Sequence, residues 1–445
     1  MTALTNDALA QQLHDALRPL NVLPADGELP GEPSIGRVRR RGRSAADDDV
    51  GIVTLLDVDG VLLWEDGAVS ASTAGSRRWR GASAVRADGD VVTQLKYQKP
   101  LGASSIVDRL NEFDTFLTPE AGNDRTPGSA LLEYDTALNV VSKAAQPAAK
   151  GPILLFVHGT FSNTGNLVKE LQMDAAFVRR VAAAGYTQIL GYDHFTVSRT
   201  PIVNAAELAR RFAGTDAEVH LICHSRGGLV ARWFCEMLDR QPARRRRVVF
   251  VGCPLQGTSL ADPRSLRHGL NLMTNVGKAI GQGFALVPFL AAAGGLMQIL
   301  SSVTSIGAKT PLVDAGIGLL PGIAAMSRIQ RHAELNALNQ GDPADREEYY
   351  AVSSNFQTED PGWRFWKYFN KSKLADSAAD YLVFEQENDL VVDTSSMTYH
   401  AFGAAPDFNN AARFCCFDEK RRVHHTAYFR QRETLDFIAR SFDMY

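Results

Sequence analysis

From Gly151 to Val251 the chain alternates continuous apolar runs with helix-patterned segments. "ILLFVH", "TQILGYD", "EVHLIC" and "RVVFVG" are apolar along most of their length, as strands buried on both faces must be. Between them lie a segment from about Leu167 to Ala184, then "NAAELARRFA" and "GGLVARWFCEMLDR", all with helical spacing of apolar residues. Such alternation predicts an α/β fold: a mostly parallel sheet with helices on both faces. Later strand candidates are "YYAVSS" (349–354), "DYLVF" (380–384) and "ARFCCF" (412–417), and Ala427 to Phe442 reads as a closing helix.

The first 148 residues follow a different rhythm. Leu9, Leu13 and Leu17 give an amphipathic helix within residues 1–20, and 21–48 are rich in Pro, Gly, Arg and Asp, as a linker is. "VTLLDV", "GVLLWEDG" and "VVTQLKY" read as strands with tight Asp-Gly turns, so 49–148 are expected to form a small β-rich unit. "AAQPAAKGP" (144–152) then marks a boundary, leaving 149–445 as the α/β domain. The alternation stops again over about 260–326. Residues 279–308 carry no charge, a length that would permit a membrane span. Gln282, Pro288, Gln298 and the pair Gly294-Gly295 interrupt it, so two or more apolar helices, packed as a cap over the top edge of the sheet, are expected instead.

The charge balance is nearly even, at 47 basic and 50 acidic residues, which favours neither an acidic nor a basic partner. Two arginine runs stand out, Arg37 to Arg43 and Arg244 to Arg247. Neither has the interleaved aromatics of a single-strand nucleic-acid site, so a solvated tail and a loop entering a strand are expected, with no nucleic-acid partner. Five cysteines without a C-x-x-C spacing suit reduced, buried thiols. With no basic-then-apolar leader at the N-terminus, a cytoplasmic location is expected.

Chemistry concentrates at "HLICHSRGGLVAR" (220–232), where Ser225 sits between an apolar strand and a helix. A sharp turn there lifts a serine hydroxyl to a helix N-terminus, whose amides favour developing negative charge. The motif G-x-S-x-G is met by Gly227 after the serine, while Cys223 stands where the first glycine would be. "HGT" at 158–160 ends an earlier buried strand. The backbone N–H groups of Thr160 and Arg226 are therefore candidate oxyanion donors. With the chain order Ser, carboxylate, His, Asp389 in "ENDLVV" is the first candidate acid, with Glu385, Glu387 and Asp393 as rivals. His425 is the favoured base and His424 its alternative. His194, at a strand end, is a candidate for lining the cleft.

Together "FVHGTFSNTGN", "CHSRGGLVARW", "VGCPLQGTSLAD", "ENDLVV" and "HHTAYF" resemble the α/β-hydrolase superfamily, in particular its bacterial lipase- and esterase-like branch. The resemblance covers about residues 151–445. It implies a Ser–Asp–His mechanism on carboxylic esters, with 260–326 acting as a lid. No metal or organic cofactor is needed for such chemistry. The apolar cap favours a lipid-like or acyl ester substrate and transient contact with a membrane surface. Thioesters and amides would use the same machinery. The reading from another class is a non-catalytic hydrolase-fold scaffold whose apolar segment binds a membrane or a protein partner.

One further motif competes. "LLDVDGVLLW" (55–64) resembles the D-x-D-G motif of haloacid-dehalogenase-type phosphatases, a resemblance that would make Asp57 the nucleophile and Asp59 the acid, with magnesium. Short strands follow it, not a βαβ unit, so a β-hairpin turn is expected.

Overall fold

A computed structural model describes residues 5–26, 50–67, 89–99, 103–122, 127–239, 241, 244–261, 266–280, 291–299, 301, 320–328, 333–340, 347–357, 365, 387–398 and 412–445. The strand candidate at 380–384, the arginine run at 37–43 and Glu385 lie outside these residues. The chain forms two compact units. One comprises Met1–Phe113, Arg264–Leu319 and Glu359–Val383; the other comprises Asp114–Pro263, Leu320–Thr358 and Phe384–Tyr445.

The first unit is built on four antiparallel strands, β1 (Leu23–Pro24), β2 (Val50–Val58), β3 (Val61–Asp66) and β4 (Asp90–Gln98), in the order β1-β4-β2-β3. Strands β2 and β3 are joined at Asp59-Gly60, both with positive φ (52° and 87°), and Asp57 accepts the Gly60 amide at 2.7 Å. The D-x-D-G motif is therefore a hairpin turn. Helix Asn6–Leu17 buries Leu9, Leu13 and Leu17.

Strand β3 is an edge, and bare edges invite mispairing. Helix Leu266–Ile280 covers this one with asparagines. Asn271 accepts the Trp64 amide at 2.8 Å, and Asn275 takes both the amide and the carbonyl of Leu62 at 2.8 and 2.7 Å. The Trp64 indole donates to Thr274 at 3.0 Å. Residues 291–299 are helical too, and an added Cβ at Gly294 would sit 3.0 Å from the Trp64 ring. The described parts of the segment expected as a cap, Leu266–Ile280 and 291–299, thus belong to the unit built on the small sheet. Among the described residues, no helix is long and apolar enough to cross a membrane.

The second unit carries an eight-stranded sheet: β5 (Ser129–Tyr134), β6 (Val140–Ser142), β7 (Ile153–Val157), β8 (Gln188–His194), β9 (Val219–His224), β10 (Arg246–Val251), β11 (Glu347–Ser354) and β12 (Phe414–Phe417). The order is β12-β11-β10-β9-β7-β8-β5-β6, parallel from β12 to β8 and antiparallel at β5 and β6. Helices Thr164–Gln172, Ala175–Ala183 and Arg432–Ser441 pack together on one face; Pro201–Arg211 and Gly227–Arg232 pack on the other. This is the mostly parallel sheet with helices on both faces that the βα alternation predicts. It begins earlier than the βα alternation suggests, because β5 and β6 join as an antiparallel edge and lack the helix-after-strand signature.

The helix expected from Leu167 to Ala184 is two helices. Asp174 breaks it, accepting the amides of Ala176 and Phe177 at 2.8 Å as the cap of the second. The run Arg244 to Arg247 does enter a strand, but Arg244 and Arg246 are buried, both paired with Asp239.

Strand order turns back between β7 and β9: β8 follows β7 on one side, and β9 lies on the other. The crevice beyond the carboxyl ends at such a switch point is where open α/β sheets bind ligands. Here those ends are His158-Gly159 and His224-Ser225.

Candidate active site

Ser225 leaves β9 with φ at +52°, a left-handed conformation that a non-glycine residue adopts at a cost. Two bonds impose it: Ser225 donates its amide to Val251 on the adjacent β10, and its carbonyl accepts the Gly228 amide, both at 3.0 Å. The chain therefore turns sharply from strand into helix Gly227–Arg232. The turn needs glycine at 227, since a Cβ there would lie 2.7 Å from the His158 carbonyl oxygen and closer still to that of Val157. Cys223 is accommodated two residues before the serine, fully buried, its carbonyl taking the Cys253 thiol at 3.4 Å. Among the described residues, the Ser225 hydroxyl makes no hydrogen bond, to His425 or to any other group.

Gly159 closes on the serine from β7. A Cβ on Gly159 would stand 2.7 Å from Ser225 Cβ and 3.3 Å from its Oγ. The next amide, that of Thr160, has no acceptor among the described residues, and neither has that of Arg226 at the start of the helix. Two unpaired N–H groups thus flank one serine. The Thr160 hydroxyl is turned away, toward Met326 Sδ at 3.7 Å.

Asp389 and His425 meet at the end of β10. His425 Nδ1 lies 2.8 Å from Asp389 Oδ2, and the His425 amide donates to the Asp389 carbonyl at 2.9 Å. A carboxylate at Nδ1 fixes the proton there and leaves Nε2 basic. The other carboxylate oxygen accepts the amides of Val391 and Val392 at 3.1 and 2.8 Å. Gly252, with φ at +59°, makes room beneath: its Cβ would fall 3.3 Å from both Asp389 Oδ2 and His425 Nδ1. Since β9 and β10 are neighbours, the pair stands one strand away from Ser225.

Two supporting residues carry no motif. Tyr428 donates its hydroxyl to Asp389 Oδ2 at 2.8 Å. Burial pushes that phenol far above its usual pKa, so it stays protonated and donates. His224 donates Nε2–H to the His425 carbonyl at 3.0 Å, its ring 4.9 Å from that of His425. Burial lowers the His224 pKa to about 3, keeping it neutral. Tyr428 lies three residues after His425, in the 3₁₀ turn Tyr428–Arg430. Only that spacing on one side of a turn could have marked it in the sequence.

The rivals are placed elsewhere. His424 pairs with the Thr426 hydroxyl at 3.2 Å, and burial lowers its pKa to about 4. Asp393 binds Arg328 at 3.1 Å and Ser259 at 3.2 Å, and Glu387 is exposed. His194 does not line a cleft. It is fully buried, its ring stacked 4.1 Å from His158, and its amide donates to His158 Nε2 at 3.1 Å. The reason is its place on β8, behind the strand end that carries the HGT turn.

Residues 128–443 match the family model described as "Domain of unknown function (DUF7379)", and the chain belongs to that family. No curated protein matches the sequence significantly. Among solved structures, a mature lipase of Bacillus licheniformis is 17% identical, with 64% of this chain and 89% of that one covered and a TM-score of 0.33. Lipase 1 of Pelosinus fermentans is 13% identical over 63% and 94%, with a TM-score of 0.36. YbtT, a type II thioesterase of the yersiniabactin pathway, is 12% identical over 67% and 95%, with a TM-score of 0.32.

Proposed function

We propose that this DUF7379 chain is a serine hydrolase of carboxylic esters, with Ser225 as nucleophile, His425 as general base and acid, and Asp389 orienting His425. One observation carries the reading. A strained serine (φ +52°) faces two unpaired amides, with a buried carboxylate–imidazole pair one strand away. Strain of this kind persists where the surroundings enforce it, and active sites are where it collects.

In the proposed reaction Ser225 Oγ attacks the ester carbonyl carbon while its proton passes to His425 Nε2. The carbonyl oxygen becomes an oxyanion held by the amides of Thr160 and Arg226, each worth about 10²- to 10³-fold in rate. Collapse expels the alcohol, protonated by His425, and leaves an acyl-enzyme. Water, deprotonated by His425, then releases the acid. Asp389 stabilises the imidazolium formed at each step, and Tyr428 holds the carboxylate in place. The serine and imidazole draw together on substrate binding, as catalytic hydrogen bonds in ligand-free sites commonly do.

The test is labelling with a fluorophosphonate and hydrolysis of p-nitrophenyl esters of increasing chain length. Wild type should be labelled and Ser225→Ala should not. His425→Ala should lose at least about 10³-fold in kcat, while His424→Ala should stay within about threefold. A folded wild type that takes no label would overturn the reading in favour of a non-catalytic scaffold. Faster turnover of a matched acyl thioester would redirect the substrate class and leave the triad in place.

A further inference from the structure

The side chain of Arg226 is the least expected group near the serine. It follows the nucleophile directly, yet its guanidinium is fully buried. Nη2 donates to the Arg199 carbonyl, and Nε donates to the Gly322 carbonyl at 3.4 Å. Both acceptors belong to one closely packed place. Gly322 donates its amide to the Val197 carbonyl at 2.9 Å, and a Cβ on Gly322 would fall 2.7 Å from the Arg199 carbonyl oxygen.

The loop that Arg226 grips is held from its other side by Asp114, also fully buried. Asp114 Oδ1 accepts the amides of Thr196 and Val197 at 2.8 and 3.0 Å. Its Oδ2 accepts that of Ser198 at 2.7 Å. A carboxylate takes three of the loop's amides and a guanidinium takes the Arg199 carbonyl, so two opposite buried charges hold the backbone of 196–199. The same loop reaches the first oxyanion donor. The Thr196 hydroxyl accepts the amide of Phe161, which has φ at +58° and directly follows Thr160.

Both proposed donors are therefore tied to one short loop: Thr160 through Phe161 and Thr196, and Arg226 through its own guanidinium and Arg199. We infer that the Arg226 side chain is a positioning residue for the oxyanion hole, setting the spacing of the Thr160 and Arg226 amides through the Asp114-pinned loop 196–199. The inference rests on the serine-hydrolase reading and deepens it. It gives one residue two separate tasks: its amide touches the oxyanion, and its side chain fixes where that amide and its partner stand. Methionine at 226 would fill much of the volume without gripping either carbonyl. Lysine would keep the charge and hold one carbonyl, without the fork that reaches two.

The experiment uses the full chain, with active sites counted by fluorophosphonate titration so that kcat is expressed per reactive serine. Arg226→Met should lower kcat about 30- to 100-fold with KM changed less than about twofold, the signature of an interaction made in the transition state. Arg226→Lys should recover part of the loss, to within about tenfold of wild type. Affinity for a trifluoromethyl ketone, which forms a tetrahedral oxyanion on serine, should fall in step with kcat/KM. A purely structural role would reduce the number of titratable sites and leave these per-site values alone. Per-site kcat within twofold of wild type in Arg226→Met would overturn the inference, as would a rise in KM alone. If Arg226→Met does not fold, Arg226→Lys decides: an unchanged kcat and unchanged ketone affinity overturn it, and a parallel loss supports it. If wild type itself takes no label, the serine-hydrolase reading has failed. Labelled wild type with indifferent Arg226 variants sinks this inference alone.

Discussion

Replacing Gly227 with alanine would add one methyl group where the elbow helix meets the end of β7. The new Cβ would stand 2.7 Å from the His158 carbonyl oxygen, about 0.7 Å short of ordinary contact, with Val157 closer still. Both obstacles are backbone atoms of a buried strand, so no rotamer change relieves them. The helix start must move away from β7 by a similar distance. That movement separates the two proposed oxyanion amides, since Arg226 precedes Gly227 and Thr160 follows His158 by two residues. Overpacking of this kind costs about 1–3 kcal/mol of stability. Displacement of reacting groups on the 1 Å scale costs about 10²-fold in rate. Gly227→Ala is therefore expected to lose about 30- to 100-fold in ester kcat per titrated serine, with a modest fall in urea midpoint. Gly214→Ala is the control: Gly214 has φ at +85° with open space around its Cβ. It should lose stability through backbone strain while keeping its per-site kcat. If Gly227→Ala turns over like wild type, the close approach of helix and strand does not set the donors, and the reasoning fails.

Tyr428→Phe removes one of the donors to Asp389, and a hydrogen bond to a charged group contributes about 1.5–3 kcal/mol; kcat should fall about tenfold, and an unchanged kcat would show the phenol to be dispensable. His424 titrates near 6.5 unfolded and, through burial, at about 4 folded, so between those values the unfolded chain binds the extra proton. Its contribution is present in full above about pH 6.5 and is lost as pH falls toward 4. Relative to His424→Gln, wild type should thus lose urea resistance on acidification across that window, and parallel pH curves for the two would refute the assignment. Trp64→Ala leaves a cavity in the small sheet's core and removes the bond to Thr274, a loss of about 3–5 kcal/mol, readable by chemical denaturation of the full chain. A loss below about 1 kcal/mol would mean the indole is not packed as described.

The order of elements along the chain can be read from the residues alone. Continuous apolar runs can be satisfied only by strands covered on both faces, so the parallel sheet was legible from "ILLFVH" onward. Ser225 was legible because strand, small residues and helix must coincide at an elbow. The Asp59-Gly60 turn was legible because few residue pairs adopt two successive positive φ angles. Whatever depends on meetings between distant segments needed the folded chain. His425 and His424 are chemically identical neighbours, and it is the fold that presents one to Asp389 and the other to Thr426. Strands β5 and β6 were hidden because an antiparallel edge has no βα period. Helix Leu266–Ile280 packs on the N-terminal sheet because asparagines at helical spacing match the open edge of β3, a complementarity between two segments that neither displays alone. The burial of Arg226 was the least legible of all. An arginine reads as a solvated group until a loop, held from behind by a carboxylate, supplies the carbonyls that let it be buried.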